Sequence, residues 1–355
     1  MKLLLTLLFP LMLFSQAMPH DTIYGKVKSV REKMVFIDSL RQTYKLWSEE
    51  GDYGHHGFMN RKAALSRNYD FWYTLPFVHY VNYDRVYDTL GRITKETWYY
   101  KNNEIVTSYQ FRYNKNNNLV EQKETDSEGE LDQIKRWGFD YSNKHISTVN
   151  IYFGSYIAHW FEGYTYDSIG NLTEKVRFSD DERQSTTTHE YQNGKKVRTY
   201  ILAPASTNSQ LYRTRKPALR FEYQYDEKGN VTELKDHSKA VFEKEGSPPY
   251  IRKWRYDANN NLLENTQQDY ARKYKYNSKN QLTEEVFISG EKVLNTRKFF
   301  YKDERLSKLI FEEDGNKYNV TFDYKLDSKS NWIEQSKSVN GKKLYVRRRE
   351  IKYWE

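Results

Sequence analysis

The stretch from Phe221 to Leu234, FEYQYDEKGNVTEL, holds the pattern from which the fold is read. Phe221, Tyr223 and Tyr225 alternate with Glu222 and Gln224, so an extended strand puts rings on one face and polar groups on the other. Asp226 comes next, and an aspartate there accepts hydrogen bonds from the backbone just ahead of it and opens a turn. Gly229, fifth from Tyr225, supplies the positive φ that lets such a turn close. Val231 then restarts a strand with an apolar residue. The segment reads as a β-hairpin.

The same unit recurs along the chain, as YDTLGRITKE from Tyr87, YNKNNNLVEQ from Tyr113 and YDSIGNLTEK from Tyr166. Further copies are YDANNNLLEN from Tyr256 and YNSKNQLTEE from Tyr276. Weaker copies start at Tyr141, Tyr191 and Tyr301, and a last one starts at Leu326. The fifth position holds Gly91, Asn117, Gly170, Gly229, Asn260 or Asn280, the two residue types that tolerate a left-handed backbone. The seventh holds Ile93, Leu119, Leu172, Val231, Leu262, Leu282 or Trp332. Tyr318, Val320, Phe322 and Tyr324 repeat the two-residue alternation ahead of the final turn. Successive starts are mostly 20–28 residues apart, room for two strands and two turns. The longer gaps contain Pro204 and Pro217, or Pro248 and Pro249, residues that cannot donate to a ladder.

Composition agrees. Only 37 % of residues are hydrophobic, yet 16 % are aromatic, with 32 Tyr and 18 Phe, which suits pleated sheet and not a disordered chain. The expected fold is therefore all-β: tandem β-hairpins forming one long twisted or coiled antiparallel sheet of about 20 strands. One short N-terminal helix is allowed by Ile37, Leu40, Tyr44 and Trp47, spaced by three and four.

The motifs resemble the YD repeats of the RHS family over roughly residues 83–340. The resemblance implies hairpins in a spiralling sheet, which in long RHS proteins closes into a shell around a toxin domain. This chain departs from that pattern, with too few repeats for a large shell and no evident toxin domain. It is more similar to short exported YD-repeat proteins of Bacteroidetes-type envelopes. A looser similarity links it to MORN-like repeats.

Three segments are expected. Residues 1–17 read as a signal peptide: Lys2, an apolar run from Leu3 to Phe14, and Ala17 at the cleavage point. The run is too short for a membrane span. Residues 18–82 read as an irregular capping segment that opens with a strand from Gly25 to Glu32, and residues 83–355 as the repeat domain. There is no cysteine, so disulfides and thiolate metal sites are excluded. Cleavage removes Lys2 and lowers the net charge from +9 to +8, too modest for a dedicated nucleic-acid surface.

Few residues invite chemistry. His55, His56 and His79 lack a metal-binding spacing and read as polar loop; Thr188-His189-Glu190 reads as strand. Glu174, Glu233, Glu264 and Glu284 recur at one repeat position, which argues for ion pairs on the solvent face and against a catalytic pair. Tyrosine stripes can stack on sugars, but a core needs the same rings. Phe71, Trp72 and Tyr73 in the irregular segment are the better ligand-contact candidates. Lys342, Lys343, Arg347, Arg348, Arg349 and Lys352 read as charges guarding a final edge strand. Asn171, Asn230 and Asn319 begin Asn-x-Thr sequons, two of which arise from the repeat itself. The triplets from Asp38, Asp88 and Asp167 (Asp-Ser/Thr-apolar) resemble a bacterial O-glycosylation acceptor pattern.

The expected function is an exported, non-catalytic scaffold of the cell envelope that binds glycan or protein, without cofactor, metal or nucleic acid. A partner-specific immunity or toxin-shielding protein is the alternative, and a polysaccharide-acting enzyme a more distant one. Periplasm, cell surface and extracellular medium are all compatible with the leader.

Overall fold

The computed structural model describes residues 23–37, 82–99, 103–154, 159–180, 182–202, 216–242, 244, 246–313 and 315–355. The first strands are β1 (Val27–Phe36), β2 (Asn82–Tyr87), β3 (Ile93–Tyr99), β4 (Ile105–Tyr113), β5 (Leu119–Thr125), β6 (Leu131–Phe139) and β7 (Ile146–Phe153). Next come β8 (His159–Tyr166), β9 (Leu172–Ser179), β10 (Glu182–Gln192), β11 (Lys195–Leu202), β12 (Ala218–Tyr225), β13 (Val231–Asp236), β14 (Tyr250–Tyr256) and β15 (Leu262–Gln267). The last are β16 (Tyr270–Tyr276), β17 (Leu282–Ser289), β18 (Lys292–Lys302), β19 (Arg305–Glu313), β20 (Asn316–Leu326), β21 (Trp332–Val339) and β22 (Lys342–Tyr353). A single turn of helix, α1 (Ser238–Phe242), follows β13.

Each strand pairs antiparallel with the next, and β22 pairs antiparallel with β1. The sheet is thus a closed 22-stranded barrel, not the open sheet that the repeats alone suggest. The reason is physical. An open sheet leaves two rows of unpaired backbone groups, and closure removes both. In a meander with an even number of strands, the first and last run in opposite directions and can complete the same antiparallel ladder. Val27–Phe36 is therefore a wall strand with neighbours on both sides, and β22 is no guarded edge. The expected helix over Ile37–Trp47 lies, but for its first residue, outside the described residues, as do His55, His56, His79, Phe71, Trp72 and Tyr73.

The turns form as the repeat predicts. Asp88 Oδ1 accepts from the backbone N–H of Leu90 (2.9 Å) and of Arg92 (2.9 Å), and Asp226, Asp257 and Asp327 do the same in their own turns. Gly91, Asn117, Gly170, Gly229, Asn260 and Asn280 all have positive φ, between 58° and 91°. Across each turn the first and seventh residues pair, as Tyr225 does with Val231, and the register then shifts by one. That bulge sets the ninth residue on the opposite face from the anchor.

Three weak copies differ. At Tyr191 and Tyr301 the turns shrink to two residues, Asn193-Gly194 and Asp303-Glu304, all at positive φ. The third is misphased by two residues: Phe139 takes the first position, Asp140 makes the turn, and Tyr141 projects fully exposed. Phenylalanine fills the tyrosine's apolar place there.

Tyrosine has its own task. Tyr113 donates to the Ile93 carbonyl (2.8 Å), Tyr166 to Ile146 (2.9 Å), Tyr191 to Leu172 (2.9 Å) and Tyr301 to Leu282 (2.8 Å). Each hydroxyl thereby ties one hairpin to the anchor of the hairpin before it. Tyr324 takes this role in the last copy, where Leu326 has no hydroxyl, by donating to Leu306 (2.8 Å).

A pH dependence follows from the turns. Burial nudges the carboxyls of Asp88, Asp167, Asp226, Asp257 and Asp327 upward, but the hydrogen bonds they accept outweigh it and hold them below the usual aspartate range. Carboxylates lowered in the folded state stabilise it above the unfolded value, about pH 4, and lose that effect as the pH falls through the folded values. Changing all five to Asn keeps the acceptor oxygen, as Asn114 and Asn277 already show in the same turn. The melting temperature of that variant should vary far less than the parent's between about pH 5 and about pH 2.5. Equal acid slopes in thermal melts of the two proteins would remove the turn aspartates from the account.

Candidate functional site: the inner wall of the barrel

Alternation gives each strand one aromatic and one charged face. The aromatic face carries the largest fully buried side chains and is the concave one, turned away from bulk water by closure. Near the seam, Asn82, Thr97, Ser336 and Val346 of the other face are buried as well. The charged face is convex. Here the repeated glutamates meet basic partners: Glu284 with Lys275 (2.6 Å), Glu264 with Arg255 (3.3 Å) and Lys273 (3.7 Å), and Glu233 with Lys253 (3.5 Å). Three of the four glutamates of the repeat thus sit in surface ion pairs, as their recurrence implied.

The concave wall is not uniform. Of 17 buried hydrophobic residues among those described, all but Val149 lie on β1–β4 or β17–β22. Met34, Tyr83, Trp98, Tyr109, Leu282, Phe299, Leu309 and Phe322 belong to one cluster on that side. At its centre is the closing seam, where Glu32 is fully buried. Its carboxylate accepts from Arg347 Nε (2.8 Å), Arg349 Nε (2.8 Å) and the Tyr83 hydroxyl (2.7 Å). The Arg349 guanidinium lies 3.5 Å from the centre of the Trp332 ring. Beside it, buried Arg85 pairs with Glu96, which also accepts from Trp98 Nε1 (2.7 Å). So two members of the C-terminal basic cluster, Arg347 and Arg349, point inward and bind the seam together. Sequence reasoning placed them on an edge because it did not close the sheet.

The other half of the wall, β5–β16, is largely half-buried. One tract of it is built by two matching strands, YIRKWRY (Tyr250–Tyr256) and YARKYKY (Tyr270–Tyr276). Period two turns Tyr250, Arg252, Trp254 and Tyr256 to the lumen on one, and Tyr270, Arg272, Tyr274 and Tyr276 on the other. On β15 between them, Gln267 stands opposite Arg252 and Tyr270, and Asn265 opposite Trp254 and Arg272. Arg272 donates to Glu285 (2.8 Å) and lies over the Phe287 ring (4.8 Å), while Tyr270 stacks on Phe287 (5.8 Å) and is half exposed. Arg297 approaches the same carboxylate at 3.3 Å. Burial pushes the hydroxyls of Tyr256 and Tyr274 up to about 12, so both remain donors at neutral pH. The tract offers flat rings, guanidinium forks and side-chain amides together, a set suited to sugar rings and their acidic substituents. The cue in the sequence is the shared Tyr-x-Arg-x-aromatic-x-Tyr pattern.

On β10, His189 contacts Thr199 Oγ1 (2.9 Å), and burial reinforced by Lys196 lowers its imidazole to about 4, so the ring is neutral at neutral pH. Among the described residues no group of three His, Cys, Asp or Glu side chains is placed to hold a metal ion, and no helix is long and apolar enough to cross a membrane.

No family model and no curated protein matches the sequence. Among solved structures, the chain is similar to the TcdB2–TccC3 complex with Cdc42, at 9 % identity and a TM-score of 0.39, covering 94 % of this chain and 18 % of that one. It is also similar to a porin-like protein from Bacteroides uniformis, at 12 % identity and a TM-score of 0.27, covering 94 % of this chain and 100 % of that one. A porin-like protein from Bacteroides vulgatus gives 13 % identity and a TM-score of 0.20, covering 62 % of this chain and 92 % of that one. The chain spans less than a fifth of the TcdB2–TccC3 chain. With TM-scores below 0.5, function must be sought in the residues themselves.

Proposed function

We propose that the protein is an exported, non-catalytic YD-repeat barrel of the RHS type that holds a glycan against its inner wall. The observation that carries this reading is the half-buried tract of Arg252, Arg272, Trp254, Tyr270 and Tyr274, with Asn265 and Gln267 between the two arginines. Arg85, Arg347 and Arg349 of the packed half are buried against carboxylates, whereas Arg252 and Arg272 stay partly exposed beside the two amides. The leader before Ala17 supports export. The convex face favours a barrel bathed in water, because a lipid-facing barrel needs an apolar outer band, and here that face carries Glu–Lys and Glu–Arg pairs.

The test is a pull-down of envelope extract with residues 18–355, with retained glycans and proteins identified separately. An enriched glycan is expected, and the double variant Arg252→Ala/Arg272→Ala should retain at least about 10-fold less while melting cooperatively, since each charge-assisted contact contributes about 1.5–3 kcal/mol. Equal retention by the variant would rule out the wall. A second reading, a shield for one protein partner, is favoured by the closure of the barrel; a single enriched protein with no glycan would replace the first reading by this one.

A further inference from the structure

The turns of the YD hairpins all lie at one rim, because they join even-numbered strands to the odd-numbered strands that follow. The fourth residue of each turn is its tip. In five copies it is polar: Asn116, Lys228, Asn259, Lys279 and Lys329. In two it is a large apolar residue with no role in the core, Leu90 at 65 % exposure and Ile169 at 77 %. A single exposed apolar residue needs no explanation, but these two share further features. Both follow an exposed hydroxyl residue, Thr89 or Ser168, and both stand two places after a turn aspartate. The copy at Asp327 also places an exposed serine, Ser328, after a turn aspartate, but its tip is Lys329, so only Leu90 and Ile169 add an apolar tip to the aspartate and the hydroxyl.

The geometry is the same at both sites. Asp167 Oδ1 accepts from the N–H of Ile169 (3.0 Å) and of Asn171 (2.8 Å), as Asp88 Oδ1 does from Leu90 and Arg92. The carboxylate thus fixes the backbone on either side of the tip, and the hydroxyl before it faces solvent. Among the described residues, neither Thr89 Oγ1 nor Ser168 Oγ makes a hydrogen bond. The Asn-x-Thr sequons of the same turns are occupied instead: Asn171 Nδ2 donates to Asp167 Oδ2 (2.9 Å) and Asn230 Nδ2 to Asp226 Oδ2 (2.9 Å). A rigid, solvent-facing hydroxyl flanked by a fixed acid and an exposed apolar side chain is what an external enzyme needs to select a serine or threonine.

We propose that Thr89 and Ser168 are acceptors for O-linked glycosylation, recognised through the Asp-Thr-Leu and Asp-Ser-Ile tips. In the transfer, the hydroxyl oxygen bonds to the anomeric carbon of a phosphate-activated sugar. The bond from that carbon to phosphate breaks, the phosphate leaves with its electron pair, and the hydroxyl proton passes to a base of the transferase. The sites depend on export, the one part of the proposed function they share, and are independent of the inner wall.

The chain isolated from the envelope of cells that produce it is weighed intact and its peptides mapped by mass spectrometry. Hexose-class mass is expected on the peptides containing Thr89 and Ser168, absent from those peptides in Thr89→Ala/Ser168→Ala. Leu90→Lys/Ile169→Lys, which gives these tips the residue found in Lys228, Lys279 and Lys329, should also remove it while leaving the melting temperature unchanged. A chain that begins at residue 18 but carries no added mass on these peptides overturns the proposal and leaves export standing. Added mass confined to other peptides, or retained on these after the lysine changes, overturns recognition through the tips. An unprocessed, unmodified chain overturns export and these sites together.

Discussion

Replacing Glu32 by Ala is expected to cost about 3–5 kcal/mol of stability, the usual range when one partner of a buried charge pair is removed. Glu32 is fully buried, and its two oxygens serve Arg347, Arg349 and Tyr83, which come from the strands on either side of β1. Alanine leaves two guanidiniums in the packed half of the wall without the carboxylate they share. The suitable control is Glu284→Ala on the convex face, where the partner Lys275 is mostly exposed and the pair contributes no more than about 1 kcal/mol. Urea unfolding of the two variants in parallel separates the cases. Hydrogen exchange adds a location: in Glu32→Ala, amides of β1 and β22 should lose protection before those of β8 and β9. If Glu32→Ala unfolds with the control, the seam is held by its backbone ladder alone and the ion cluster is incidental.

The hairpins were legible because their signals are local. A turn aspartate, a left-handed Gly or Asn and an apolar anchor lie within seven residues, and no distant contact is needed to interpret them. Gly170 and Asn260 occupy their foreseen conformations for that reason. Closure was not legible, because it depends on residues more than 300 positions apart in the chain. A cue was nevertheless present in the alternation. Glu32 shares its parity with Val30 and Met34, and Arg347 and Arg349 share theirs with Ile351 and Tyr353. A charge on the apolar face of each terminal strand, opposite in sign, marks two strands that complete one another. The basic run at the C terminus hid this cue, since Arg348 and Lys352 face outward and fit an edge. The ligand candidates Phe71, Trp72 and Tyr73 rested on an irregular segment rather than on any pattern. The Arg252 and Arg272 tract was overlooked because its rings were already assigned to a core. Whether a tyrosine stripe is core or lumen depends on what faces it across the barrel, and strand periodicity carries no such information.

Deleting residues 342–355, and with them β22, should perturb the barrel more than any single substitution. The remaining 21 strands cannot close in the same way, because β21 and β1 would run parallel where the ladder requires antiparallel neighbours. Two long edges would then be exposed, one of them carrying the apolar face of Val30 and Met34. The truncated chain is expected to form dimers or larger assemblies by edge pairing, read by light scattering after size-exclusion chromatography. A synthetic peptide covering residues 342–355 should add to the open edge as a strand and return the chain to a monomer. The same peptide with Arg347 and Arg349 changed to Ala should bind at least about 10-fold more weakly, by the 1.5–3 kcal/mol of a hydrogen bond to a charged group. A truncated chain that stays monomeric, with an unchanged denaturant slope, would mean that the other strands make a stable sheet without the seam. The two outcomes distinguish a barrel whose closure stabilises all its hairpins from a row of hairpins that happens to meet at its ends.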